Sequence, residues 1–372
     1  MSFSGHAYPW DVLGDPAFVD RVGALGVDRV TLAAAYHSIR AATPLHPSHQ
    51  VVDGPYAALY RPVREEIWGG RRLRPLAPRW TTAPDPFGTA AATLTEAGLS
   101  VSAWIVLTHN TRLGTEFPQL SVVNCYGDRY SYALCPASAE VRDFAATLAA
   151  EAVRDTPVEA VSIEACGQLG IVHLGHHDKT DGAFSPHAQR ILSICCCGAC
   201  RHAWSEHGLE PGRVVDRLRA AVHGELEPTL ADALLQLRHA AADELRRQVL
   251  SAVREQAPAV EVTLHAHPDP WATGSSPGLA ASSPAVDAVL VPAWPTTDAS
   301  VDLVAAMAAR VDTVDAYLTV LPPADPDVVV EHGRRLVAAG AQRLSLYHLG
   351  LAPASRQPLF AQLISALSGG NP

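Results

Sequence analysis

The residue best placed to move a proton in this chain is Glu164. It closes an apolar run, Val158-Glu159-Ala160-Val161-Ser162-Ile163. An acid at the end of a buried strand is partly desolvated, which disfavours the carboxylate and raises its pKa. That shift suits a general acid working near neutral pH. The competing reading is a buried Glu paired with an arginine such as Arg112. Downstream, Cys195-Cys196-Cys197-Gly198-Ala199-Cys200 offers three sulfurs in a Cys-x-Cys-x-x-Cys knuckle. A structural zinc ion takes four ligands in a tetrahedron, so a fourth must come from elsewhere. Cys135, in Leu134-Cys135-Pro136, leads the candidates, ahead of Cys125, Cys166 and His202. Cys196 is less suited, because neighbouring side chains point apart.

These groups need elements to position them. The chain repeats one unit: a segment with apolar residues at three- and four-residue spacing, a Gly or Pro turn, then a short apolar strand. Strands are expected near 7–12, 29–35, 101–107, 158–163, 260–265, 286–291, 314–320 and 343–348. Helices between them mean parallel strands. Eight such units predict an α/β fold, a (β/α)8 TIM barrel, as a single domain over 1–372. Two long insertions follow strand ends. Residues 38–88 follow strand two, and residues 165–230 follow strand four and carry the knuckle. No Gly-x-Gly-x-x-Gly follows the first strand and no Gly-Lys-Ser/Thr occurs, which argues against dinucleotide and nucleoside-triphosphate binding.

A barrel builds its site at the C-terminal ends of its strands. The expected ends carry Trp10 and Asp11, His37, His109 and Asn110, Glu164, His265 and His267, Trp294, and Tyr347 and His348. The histidines and Asn110 would hold hydroxyls. Trp10 and Trp294 could stack on a sugar ring. Asp11, or a carboxylate from an insertion such as Asp178 or Glu65, would be a second acid.

Hydrophobic residues make up 48% of the chain and charged ones 18%, so it folds rather than staying disordered. The net charge of −10 gives nucleic acid no basic face to bind. Between residues 61 and 79 lies the one arginine-rich patch, read as a loop for an anionic ligand or as a solvated surface. No apolar run reaches the roughly 20 residues that span a bilayer. The N-terminus lacks a basic segment followed by an apolar run, so a cytoplasmic location is expected. Seven cysteines, four of them within six positions, then point to metal rather than disulfides.

At this point a resemblance enters. The segment Cys135-Pro136-Ala137-Ser138-Ala139-Glu140-Val141-Arg142, then Ile163-Glu164, then Cys195-x-Cys197-x-x-Cys200 followed by Trp204, resembles the β-galactosidases of glycoside hydrolase family 42. The match covers roughly residues 130–207. It implies a barrel with Glu164 as acid/base and a structural zinc completed by Cys135, the distal cysteine. It also implies a carbohydrate substrate and a homo-oligomer. Two positions depart from the family. Ile163 replaces the Asn before the acid, and the strand-seven region, Tyr317-Leu318-Thr319-Val320-Leu321-Pro322, lacks the nucleophilic Glu. Asp315 lies too early in that strand, and Ser162 stands where substrate-assisted glycosidases keep an Asp. Three functions follow as expectations. The first is a glycosidase-like enzyme. The second is a metal-dependent lyase or isomerase using His173, His176, His177 and Asp178, or His265 and His267 with Glu164. The third is a non-catalytic sugar-binding barrel.

Overall fold

The computed structural model describes residues 1–173, 179–180, 182–280 and 285–368. Eight parallel strands close into a barrel: β1 (Ser2–Ala7), β2 (Arg29–Tyr36), β3 (Ser100–Val106), β4 (Ala160–Glu164), β5 (Glu261–His265), β6 (Ala288–Pro292), β7 (Val314–Thr319) and β8 (Arg343–Tyr347). Each pairs with its neighbour in chain order, and β1 pairs with both β8 and β2, which completes the ring. Helices follow the strands and cover the outside, as the alternation predicts. Their ends carry the expected signals. Asp85 caps the helix Pro86–Glu96 by accepting the Gly88 N–H at 2.9 Å. Gly26 ends the helix Phe18–Leu25 at φ 76°, a conformation that costs glycine no side-chain clash.

One strand is misplaced by the sequence reading. Residues 7–12 are not strand one; β1 is Ser2–Ala7, and Pro9–Gly14 is a helix. Pro9 occupies the first turn, where its missing N–H costs nothing. The Asp11 carboxylate accepts the Tyr8 N–H at 2.8 Å and so closes the helix start. Trp10 and Asp11 therefore sit one turn past the strand end.

The barrel axis is polar, where branched aliphatic side chains usually dominate. Arg29, Glu261 and Arg343 form an ion-paired layer at the base. Above it, Ser345 Oγ donates to Asp315 Oδ2 at 2.8 Å and meets Ser4 Oγ at 2.8 Å. Next, His6 packs edge-on against Trp104, with ring centroids 4.7 Å apart, and tilts against Tyr317 at 4.5 Å. The apolar core lies outside the sheet, between strands and helices. It holds Phe18, Phe87, Phe144 and Phe360, all buried.

Five arginines of the patch are ion-paired. Arg61 pairs with Asp85, Arg64 with Glu151, Arg71 with Asp143, Arg72 with Glu140 and Arg74 with Glu65. Three of these partners lie on the helix Ala139–Val153, so the patch fastens the insertion after β2 to the barrel wall. Among the described residues, no helix is long and apolar enough to cross a membrane.

Candidate active site and cysteine centre

Glu164 is the last residue of β4 and is buried. Its Oε2 accepts the Trp104 indole N–H from β3 at 2.7 Å. His265, closing β5, places Nδ1 3.8 Å from the same oxygen and holds Ser162 Oγ through Nε2 at 2.8 Å. Arg112 is not the partner of Glu164; it pairs with Glu116 and donates to the Arg74 carbonyl. With an indole as its polar partner and, among the described residues, no cation against it, Glu164 is pushed by burial from 4.5 up to about 7, against the pull of the Trp104 bond. The chain leaves Glu164 sharply, because Ala165 has φ 53°, a left-handed conformation costly for a residue with a Cβ. Its carbonyl accepts the Thr108 hydroxyl at 2.7 Å and its N–H donates to Ser275 O at 2.8 Å. Such strain persists only where the surroundings over-determine it.

Aromatic rings surround the acid. Tyr36 from β2 packs edge-on against Trp104 at 4.6 Å. Tyr8 stacks between Trp104 at 6.0 Å and His348 at 4.3 Å. Tyr347 and Tyr317 meet at 5.6 Å, and Trp294 lies 4.6 Å from Tyr347 and 5.5 Å from Tyr317. Trp294 is 39% exposed, so an indole face is open at the mouth. Trp10 is different: it is buried and stacked on Tyr8 at 4.5 Å.

Asp11 is buried, with Oδ2 3.9 Å from His348 Nδ1, and burial raises its pKa from 3.8 to about 7. His348 Nδ1 accepts the Gly350 and Leu351 N–H groups at 3.2 and 3.3 Å, so its proton lies on Nε2. Desolvation lowers His265 and His348 to about 3 and His37 to about 4, so these imidazoles are neutral around pH 7. His37 donates from Nδ1 to Ser38 O at 2.6 Å and stacks on His109 at 4.3 Å. His109 Nε2 lies 2.7 Å from His173 Nε2, and His173 stacks on Tyr132.

Two predicted residues are turned to local work. Asn110 Oδ1 caps the helix Thr111–Glu116 by accepting the Leu113 N–H at 3.0 Å. His267 Nδ1 accepts the Asp269 N–H at 3.0 Å in its own loop. His176, His177 and Asp178 lie outside the described residues. Sequence reasoning puts Tyr8 and Tyr36 at strand ends without giving them a role, and leaves Tyr317 and His6 out of the site. The alternation of Asp315, Tyr317 and Thr319 along β7 was the available signal for Tyr317.

The sulfurs of Cys135, Cys195, Cys197 and Cys200 all lie within 4.8 Å of one another, and Cys135 Sγ is 3.6 Å from Cys200 Sγ. A tetrahedral zinc site with Zn–S of about 2.3 Å has sulfur–sulfur edges near 3.8 Å, so the four residues fit a metal ion. Cys135 follows the hairpin strand Arg129–Leu134, and Cys200 lies in the first turn of the helix Gly198–Glu206. Cys196 is absent from the cluster. Its N–H donates to Val123 O at 2.6 Å, and its Sγ turns to Ile194 O.

A stability prediction arises here. Glu164 binds its proton more tightly folded than unfolded, so its contribution is fully present below about pH 4.5 and is lost as pH rises through about 7. Glu164→Gln removes that loss. Relative to the parent, the variant should gain about 3 kcal/mol at pH 8 and less than about 1 kcal/mol at pH 5. Calorimetric melts at both pH values check this; an equal difference at the two would show that Glu164 does not titrate in that window.

Comparison with known proteins finds the same fold in solved structures of glycoside hydrolases. No protein-family model and no curated protein matches the sequence. Solved structures do. The glycoside hydrolase domain of PgaB (BpsB) from Bordetella bronchiseptica superposes with a TM-score of 0.65 at 15% identity, covering 98% of both chains. The catalytic domain of β-amylase from Paenibacillus polymyxa gives 0.60 at 11% identity, covering 100% of this chain and 99% of that one. A catalytic mutant of a GH42 β-galactosidase from G. stearothermophilus gives 0.57 at 11% identity, and this chain, 99% covered, spans 56% of it. At these identities the likeness is one of fold.

Proposed function

We propose that this protein is a glycoside hydrolase acting on a sugar or glycoconjugate, with Glu164 as general acid/base. The observation that carries the reading is a strand-end carboxyl, buried and raised to about 7, ringed by aromatic side chains and neutral imidazoles. Protonated Glu164 gives its proton to the glycosidic oxygen as the bond to the anomeric carbon breaks. The Trp104 indole fixes the carboxyl and stabilises the carboxylate that results. Neutral His37, His109 and His348 offer N–H and lone-pair contacts to hydroxyls without an ionic partner. Asp11 is the second carboxyl. A separation of about 5 Å from Glu164 in the substrate complex means retention of configuration, and about 6.5–9.5 Å means inversion. The four cysteines hold zinc, which pins the loop after β4 to the hairpin after β3 and takes no part in the chemistry.

The test is a screen of glycosides with the parent and Glu164→Gln; unchanged turnover of any substrate by the variant would sink the assignment. Trp294 supplies the platform for the sugar ring. Trp294→Ala should raise KM about tenfold, in line with one lost ring contact of about 1–1.5 kcal/mol, while kcat changes little. A fall in kcat at constant KM would place Trp294 elsewhere.

A second reading, a sugar-binding barrel without turnover, draws support from β7. Its inward residues are Asp315, tied to Ser345, then Tyr317 and Thr319, so its mouth end lacks a carboxylate. Calorimetric sugar binding with no turnover across the same screen would favour it.

A further inference from the structure

Glu164, His265 and Ser162 stand in line. A carboxyl oxygen lies 3.8 Å from an imidazole nitrogen, and the other ring nitrogen lies 2.8 Å from a hydroxyl. The order resembles a nucleophilic triad, but Ser162 cannot meet a substrate. Its hydroxyl faces a small polar cavity of about 20 Å³ at the foot of the barrel axis, shared with Ser4, Thr31, Thr263 and Asp315. That volume suits one water, which needs about 10–15 Å³ and two to four polar partners. Asp315 aims Oδ2 at Ser345, and its Oδ1, fully buried, has no partner at hydrogen-bonding geometry. A buried carboxylate oxygen left unpaired is costly.

We propose that this cavity holds a water bound to Asp315 Oδ1, and that His265, Ser162 and this water form an internal proton relay that recharges Glu164 from beneath. The proposal rests on the reading of Glu164 as the acid. With Glu164 ionised, His265 carries its proton on Nδ1, and Nε2 accepts from Ser162. Recharging breaks the Nδ1–H bond as the Glu164 O–H forms. Nε2 takes the Ser162 proton, Ser162 Oγ takes one from the water, and the water takes one from the Asp315 carboxyl. One proton moves from Asp315 to Glu164, water and hydroxyl are restored, and His265 ends protonated on Nε2. The long His265–Glu164 contact is of the kind that commonly tightens only with substrate bound.

The surroundings favour that direction. The Ser345 hydroxyl and the guanidinium groups of Arg343 and Arg29 stabilise the Asp315 carboxylate, whereas the Glu164 carboxylate has the Trp104 indole, although burial raises both acids. The other titratable groups facing the relay are His6 from β1, Tyr36 from β2, Tyr317 from β7 and Tyr347 from β8. Burial drives His6 down and the phenols up, so all four are neutral through the window.

The test is nitrogen-15 NMR of the full chain labelled at His and Trp, titrated from pH 5 to 9. The Trp104 indole N–H reports the ionisation of Glu164, and the His265 ring shifts report its tautomer. Both should move together near pH 7, with His265 passing from Nε2–H to Nδ1–H and staying neutral. Ser162→Ala should abolish the His265 change and leave the Trp104 titration, and Ser162→Thr should restore the coupling. A single His265 tautomer while Trp104 titrates, or unaltered His265 behaviour in Ser162→Ala, would overturn the relay. A Trp104 signal constant over the whole range would instead remove the reading of Glu164 as an acid poised near neutrality, and the relay with it.

Discussion

Glu164→Gln is expected to lower kcat on an unactivated glycoside by about 10²–10⁴-fold, the usual worth of a positioned general acid. The fold should survive, because the Gln side-chain oxygen can still accept the Trp104 N–H that Glu164 accepts at 2.7 Å. The pH dependence gives the same expectation a direction. A carboxyl held near 7 is protonated below that value, so in the parent kcat/KM should fall as pH rises through about 7. The variant should lose that limb. Steady-state rates across pH 5–9 check both. If the high-pH limb persists in the variant, another group is the acid.

Cys135→Ser is expected to have the largest effect on stability. Cys135 is buried and joins a hairpin after β3 to the knuckle after β4, so the ion it would help hold closes a long loop. Metal binding free energy becomes folding free energy where the site does not exist in the unfolded chain. Loss of a metal belongs to the short list of changes costing more than about 4 kcal/mol. Elemental analysis should find one zinc per parent chain and none in Cys135→Ser, with a lower melting temperature. Cys196→Ser is the control, since its sulfur turns away from the cluster. Retention of zinc by Cys135→Ser would return Cys125, Cys166 or His202 as the fourth ligand.

Seven of the eight strands were legible because their outward faces pack under helices and read as apolar runs. β1 was not, for a physical reason. Its inward residues Ser4 and His6 face a polar axis, so the strand shows no apolar alternation, while the next run, which contains Trp10 and Val12, does. Pro9 and Asp11, a helix start, were the overlooked signal. Three of the four cysteines were legible because thiol spacing within one knuckle is local, and Cys135 because it lies on the loop after the neighbouring strand. Glu164 was legible because a strand end is a local feature. The ring of tyrosines around it was not, since it is assembled from β2, β7, β8 and the turn after β1. Nothing in the sequence near Ser162 or Asp315 points to the axis where they share a cavity.

The most direct test of Glu164 as the proton donor is leaving-group dependence, read in the first turnover. A dinitrophenyl glycoside departs without protonation, whereas an alkyl glycoside of the same sugar requires it. Glu164→Gln should cleave the first at close to the parent rate and the second at least about 10²-fold more slowly. An equal loss on both, or no loss on either, would contradict the role assigned to Glu164.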